Sequence, residues 1–272
     1  MHRRQIADLI LARLDVESTR LATEFALPGR ISSCQLEGLL PVPLAESIHA
    51  AFPASERMIL KHSIKEKKHI AAQMDRYDPL LEEVVYAFQD ARVVSAIASI
   101  TGLTELEADA DLYAGGISAM ARGSYLRPHL DNSHDKDRKR YRVLNLLFYV
   151  TPGWQESHGG SLQLWDAGPR GEPRTVPSLF NSLVIMLTDQ HAWHSVNEVC
   201  HDERRCCVSN YYFSHRAPGG DAYSHATSFR AEHGRGLADA TMRVDNAVRS
   251  AILRSVGGKL WHNPHVYQRE SQ

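Results

Sequence analysis

Between Leu112 and Ser214 the chain breaks into short apolar runs separated by Gly, Pro, Asn and Asp, and this punctuation limits its folds more than any other feature. Runs of that kind predict β-strands rather than helices. The stretch before it reads helical. Asp78-Pro79 is an N-cap followed by proline at the first helical position. Leu81, Val84, Val85 and Phe88 then recur at helical spacing, and a second helix through Val93, Val94, Ile97 and Ile100 stops at Gly102. The C-terminus returns to helix, with Val244, Ala247, Val248, Ala251, Ile252 and Val256 on one stripe. These apolar stripes need a partner, and the back of a sheet supplies one. The pattern predicts an α+β chain with a mainly β core. Residues 1–272 are expected to form a single domain, with helical support over 1–111, the strand-rich core over 112–215, and a loop and helix over 216–272.

Inside the strand region lies His129-Leu130-Asp131, followed later by His194 in Trp193-His194-Ser195-Val196 and then by Arg205. On a strand, side chains at i and i+2 share a face, so His129 and Asp131 can hold one metal ion from adjacent rungs. A helix pairs i with i+3 or i+4 instead. Two imidazoles and one carboxylate leave other metal positions open, which suits non-heme Fe(II) and dioxygen. A lone His-x-Asp arises by chance; strand context, a distal histidine and a basic residue beyond it make this one a site. The chain has 15 histidines, so others compete. His191 is the rival of His194, whereas His134 and His158 read as solvated loop residues.

The motifs around these residues resemble the Fe(II)/2-oxoglutarate-dependent dioxygenases, and among them the prolyl-4-hydroxylase-like group. Gly123-Ser124-Tyr125-Leu126-Arg127-Pro128-His129-Leu130-Asp131 is similar to that group's first metal strand, and Arg142 to Val150 to its next core strand. Gly159-Gly160-Ser161-Leu162-Gln163-Leu164-Trp165 resembles the Gly-Gly strand, Phe180 to Met186 the strand leading to the distal histidine, and Arg205 to Phe213 the closing strand. The likeness covers residues 112 to 215, about two fifths of the chain, in the family's order.

The resemblance implies a jelly-roll of two facing sheets, the double-stranded β-helix, flanked by N- and C-terminal helices. It implies Fe(II) on His129, Asp131 and His194, with dioxygen as the oxidant. His194 is preferred to His191 because Trp-His-Ser-Val is similar to the family motif and His191 sits nearer the polar turn Thr188-Asp189-Gln190. It also implies 2-oxoglutarate gripped by a basic residue on the closing strand. Arg204 and Arg205 are adjacent there, so only one faces the interior. Counting to Tyr211-Tyr212-Phe213 selects Arg205, and leaves Arg204 outside to pair with Asp202 or Glu203. A guanidinium fork suits a buried carboxylate better than an ammonium does. Two departures stand out: Met120 occupies the place of the cosubstrate tyrosine of many relatives, and Cys207 that of a hydroxyl residue two after the arginine. Asn145 or Ser209 is expected to rebuild that shell. Trp193, Trp165 and Phe148 could line the pocket, although aromatics on core strands more often pack.

The implied reaction is oxidative decarboxylation of 2-oxoglutarate to succinate and carbon dioxide, coupled to hydroxylation of a small-molecule or amino-acid-like substrate. Family members that chlorinate carbon have Gly or Ala in place of this aspartate, so Asp131 favours hydroxylation; desaturation, ring closure and epoxidation need the same ligands. The alternatives are a peptidyl, prolyl-type hydroxylase, a metal-binding jelly-roll sensor without turnover, and a cupin-like zinc or manganese enzyme. A carboxylate clamp at Arg205 argues against the last two.

A balance of 31 Lys+Arg against 32 Asp+Glu gives no reason to expect nucleic acid or an anionic membrane as partner. Asp8, Arg13 and Asp15 interrupt any apolar leader, and no stretch approaches membrane-span length. Cys34, Cys200, Cys206 and Cys207 form no zinc or disulfide spacing, so a reduced cytoplasmic protein is expected. The oligomeric state is not encoded in any feature of the sequence. The charged run from Asn132 to Tyr141 has no apolar period and reads either as a solvated loop or as a mobile lid with Lys136, Arg138, Lys139 or Arg140 facing an anionic substrate.

Overall fold

A computed structural model describes residues 1–231, 239–242, 244–246 and 267. In chain order its elements are α1 (Arg3–Phe25), β1 (Ser33–Glu37), α2 (Val42–Ala50), β2 (Ile59–His62), β3 (Glu66–Ala71), α3 (Pro79–Ala87) and α4 (Ala91–Thr101). There follow β4 (Glu107–Ala108), β5 (Gly116–Met120), β6 (Tyr125–Leu130), β7 (Tyr141–Tyr149), β8 (Leu162–Leu164) and β9 (Arg174–Val176). The last are β10 (Ser182–Leu187), β11 (His194–Val196), β12 (Arg205–Ser214) and β13 (Ser228–Phe229).

The strands pair in the antiparallel order β1-β10-β7-β12-β5-β3-β6-β11-β8-β9, with β2 on β3, β4 on β12 and β13 on β6. The sheet curls strongly into a jelly-roll half-barrel with helices behind it. Its two faces bury different sets of side chains. The back face carries Leu146, Phe148, Ile185, Cys206, Val208 and Tyr212 into one core with Ile6, Ile10 and Leu14 of α1, Val84 and Val85 of α3 and Ile97 of α4. The concave face carries Tyr149, Val184, Met186 and Cys207 against Leu162, Leu164 and Val176. Neighbouring Cys206 and Cys207 therefore point to opposite sides, as strand alternation requires. Phe148 faces the helices, 6.0 Å from Phe88, and does not line the concave face.

The helices after residue 78 form as the sequence predicts. Asp78 accepts the backbone N–H of Leu80, Asp90 that of Arg92, and Gly102 closes α4 in the left-handed conformation at φ 69°. The region before residue 112 is nevertheless not all helical. β1 extends the sheet beside β10, and β3 bridges its two halves between β5 and β6. β3 reads Glu-Lys-Lys-His-Ile-Ala, with no apolar alternation to announce a strand; its two neighbours hold it by backbone pairing. Of the predicted C-terminal stripe, residues 247–256 lie outside the described residues. No helix among the described residues is long and apolar enough to cross a membrane.

One backbone approach sets the spacing of β3 and β5. Gly116 sits at φ 123°, and a Cβ there would lie 2.3 Å from the Ala71 carbonyl oxygen. Gly116→Ala is therefore expected to cost about 2–4 kcal/mol from strained φ and steric overlap together. Thermal or denaturant unfolding checks this, and a midpoint equal to wild type would mean the strands can separate freely.

Candidate metal centre

β6 and β11 lie side by side with His129 directly opposite His194. Asp131 follows immediately after β6, and one potential ligand atom from each of the three residues lies within 4.8 Å of the others. His129 Nε2 is 3.6 Å from Asp131 Oδ1, and His194 Nε2 is 3.6 Å from Asp131 Oδ2. Each Nδ1 faces a carbonyl, Arg127 O at 3.0 Å for His129 and Ala192 O at 2.9 Å for His194. A carbonyl only accepts, so both Nδ1 atoms donate and both Nε2 lone pairs turn toward the carboxylate. Fixing a ligating imidazole through its other nitrogen is how metal-binding histidines are oriented. His191 is exposed and takes no part.

Both carboxylate oxygens of Asp131 have a donor. Asn145 Nδ2 donates to Oδ2 at 2.9 Å, and Arg142 Nη1 lies 3.2 Å from Oδ1. Burial alone would raise the Asp131 carboxyl, but Arg142 and the two imidazoles outweigh it and hold it well below the usual carboxylate range. Arg142 is itself buried, its guanidinium 4.5 Å above the Tyr211 ring and its Nε without a partner. Sequence reasoning passed over Arg142, whose signal is a cation opening an otherwise apolar strand. Phe229, brought in by β13, stacks on His129 at 5.2 Å and 17°. That residue also escaped notice, since it lies outside every motif.

Burial, reinforced by the neighbouring His129, lowers the His194 imidazole to about 4. A base so shifted keeps its full stabilising contribution above the ordinary imidazole value of 6.5 and loses it as pH falls through about 4. The metal-free chain is therefore expected to lose about 3 kcal/mol between those pH values through this residue. His194→Gln should flatten that part of the unfolding profile. Superimposable profiles would refute the shift.

Arg205 is buried at the start of β12, where its Nη1 donates to Gly160 O at 3.0 Å. Its Nε has no partner, nor does the buried Tyr149 hydroxyl, whose ring lies 5.1 Å from the guanidinium. The Ser161 hydroxyl, beside Gly160, is also buried and unpartnered. Three buried groups able to donate, unsatisfied at one end of the concave face, fit a carboxylate of a bound molecule. Tyr149 joins them although no feature of its strand singles it out beforehand. Met120 faces Arg205 across β5 and β12 and packs on Trp154, Val196 and Val199.

Other expected residues lie elsewhere. Ser209 is four residues beyond Arg205, roughly 13 Å along the strand, and lines a different cavity with Tyr113 and Tyr211. Arg204 points outward as expected, but it donates to Pro53 O at 2.9 Å and Ser55 Oγ at 3.2 Å, while Asp202 pairs with Arg122. The Asn132–Tyr141 connection is braced. Buried Asp135 accepts Lys139 N and Arg140 Nε, Lys136 meets Asp111, Arg138 donates to Ser224, and Arg140 also reaches Glu107. Asp135, Lys136 and Arg140 are thus paired within the fold, which ties the run to the strands around it at those points.

Residues 115–213 match the sequence profile of the 2OG-Fe(II) oxygenase superfamily. A prolyl 3-hydroxylase, OGFOD1, from Xenopus laevis is 25% identical over 156 residues, which is 56% of this chain and 28% of that protein. The matched part thus spans little more than a quarter of the curated relative. A prolyl-4-hydroxylase crystal structure from Pseudomonas putida superposes with a TM-score of 0.53 at 19% identity, covering 75% of this chain and 98% of the other. The α-ketoglutarate-dependent epimerase SnoN of nogalamycin biosynthesis gives 0.55 at 14% identity, over 76% and 86% of the two chains. At these identities the superpositions speak for the fold.

Proposed function

We propose, from the match of residues 115–213 to the 2OG-Fe(II) oxygenase superfamily profile, that the chain hydroxylates a small-molecule or amino-acid-like substrate at the expense of 2-oxoglutarate and dioxygen. His129, Asp131 and His194 would hold Fe(II), and Arg205 with Tyr149 would take the C5 carboxylate of 2-oxoglutarate. Bound there, iron would supply the dioxygen-activating chemistry that no side chain offers. The observation that carries the reading is a His-Asp-His cluster with both imidazoles buried, accompanied by unsatisfied Arg205 and Tyr149 donors.

The protein's own part is orientation and exclusion of water. Two Nδ1–carbonyl bonds aim the imidazoles, while Asn145 and Arg142 hold the carboxylate, so neither has to reorganise when a cation arrives. Met120, Trp154 and Val199 wall off the Arg205 end with apolar surface, which strengthens a guanidinium–carboxylate pair there. The four free cysteines suit a reducing, cytoplasmic setting.

Anaerobic titration with Fe(II) and 2-oxoglutarate should develop the weak visible charge-transfer band of the chelate, and a metabolite screen should then find succinate release. A chain that binds Fe(II) but never yields the band would be a metal-binding jelly-roll rather than an oxygenase. The prolyl 3-hydroxylase likeness favours a peptidyl substrate as the second reading. Hydroxyproline in proline-containing peptides, with no response to small molecules, would select it.

A further inference from the structure

A cavity of about 230 Å³ opens on the concave face and is lined by Lys61, Glu66, Lys68, Tyr113, Ser118 and Tyr211 among others. It adjoins the metal centre through one wall. Tyr211 lies beneath Arg142, which contacts Asp131, and Glu66 pairs with Leu126 of β6, the strand that carries His129. It is distinct from the Arg205 end, since its nearest β12 residue, Ser209, is roughly 13 Å along the strand.

Lys61 and Lys68 are directly opposite each other in the β2–β3 hairpin, so their side chains leave the same face, here the cavity wall. Like charges in that relation repel and are kept at a cost. Glu66 answers one of them, 3.1 Å from the Lys68 ammonium, whereas Lys61 forms no ion pair among the described residues. Among the described residues the cavity rim thus carries two cations, Lys61 and Lys68, against the one anion of Glu66. Below it stand phenols and a serine hydroxyl, and the volume is under the ~300–1,000 Å³ usual for larger ligands.

We infer that the cavity is the substrate site and that the substrate is a small molecule with one anionic group, a carboxylate or phosphate, received between Lys61 and Lys68. This rests on the oxygenase reading. The anion anchors the far end, and the remainder lies along Tyr113 and Tyr211 toward the metal ligands.

The test uses the whole chain with Mn(II) and 2-oxoglutarate bound under argon, with methylphosphonate and propionate as probes. Reductive methylation of lysines, read by mass spectrometry, is expected to slow saturably at Lys61 and Lys68 but not at Lys139. Protection at lower methylphosphonate than propionate would mark a phosphate-bearing substrate, and the reverse order a carboxylic acid. In Lys61→Ala the concentration needed to protect Lys68 should rise about tenfold or more. The 2-oxoglutarate dissociation constant of Lys61→Ala/Lys68→Ala should stay within about twofold of wild type, the scale of a lost surface charge. Absence of protection by both probes overturns the inference. So does a large loss of 2-oxoglutarate affinity in the double variant, which would make the cavity the cosubstrate's. Failure of the oxygenase reading shows separately, as absence of the Fe(II)–2-oxoglutarate band in wild type while the probes still protect.

Discussion

Asp131→Ala is expected to abolish metal binding and turnover together and, in the metal-free chain, to lower stability by about 3–5 kcal/mol. The first effect follows from losing the one anionic ligand. The second comes from Arg142, which is 6% exposed and whose ionic contact in the fold is Asp131, at 3.2 Å. Removing the carboxylate strands a buried guanidinium, and the cost of an uncompensated buried charge exceeds what the pair itself contributes. Asp131→Ala/Arg142→Met should therefore recover most of the stability while recovering no metal binding. Denaturant unfolding of the four chains in the double-mutant cycle, with Mn(II) titration of each, separates the two roles. If Arg142→Met failed to rescue Asp131→Ala, the pair would not be the stability determinant the geometry makes it.

The chemistry-bearing residues were legible where strand alternation alone decides the outcome. His129-x-Asp131 has to share a face, and the structure brings His194 opposite His129 across one strand boundary. Likewise Asp78-Pro79 and Gly102 cap helices through purely local bonds, so α3 begins and α4 ends where the sequence says. What the sequence hid depends on register between distant segments. Lysine-rich β3 becomes the bridge between the sheet halves only because β5 and β6 flank it. Asn145 was expected near the cosubstrate, yet pairing of β7 with β10 and β12 brings its amide to Asp131. Ser209 was expected there too, and its place on β12 puts it in the Lys61–Lys68 cavity instead. The charged run after Asp131 looked mobile because its partners, Glu107, Asp111 and Ser224, come from elsewhere in the chain.

The remaining large effect distinguishes two adjacent arginines. Arg205→Ala is expected to weaken 2-oxoglutarate binding by about 3 kcal/mol or more, over a hundredfold in dissociation constant. Arg205 is buried with Nε unsatisfied beside the unpartnered Tyr149 hydroxyl, so a carboxylate arriving there gains a charged partner already desolvated and fixed by Gly160 O. Without the guanidinium the ligand's carboxylate would enter the same apolar surroundings uncompensated, and Lys at this position would restore charge but not the fork. Arg204 spends its guanidinium on Pro53 O and Ser55 Oγ on the outer side of the sheet. Arg204→Ala should leave cosubstrate affinity within about fivefold, since its part-buried contacts lie on the outer side of the sheet and a polar contact near the surface is worth under about 1 kcal/mol. Calorimetric titration of 2-oxoglutarate into the Mn(II)-loaded variants reads both values, and Tyr149→Phe should fall between them. Equal losses for Arg204→Ala and Arg205→Ala would sink the assignment, as would loss of Mn(II) binding in Arg205→Ala, which would show the residue acting on the metal site rather than on the cosubstrate.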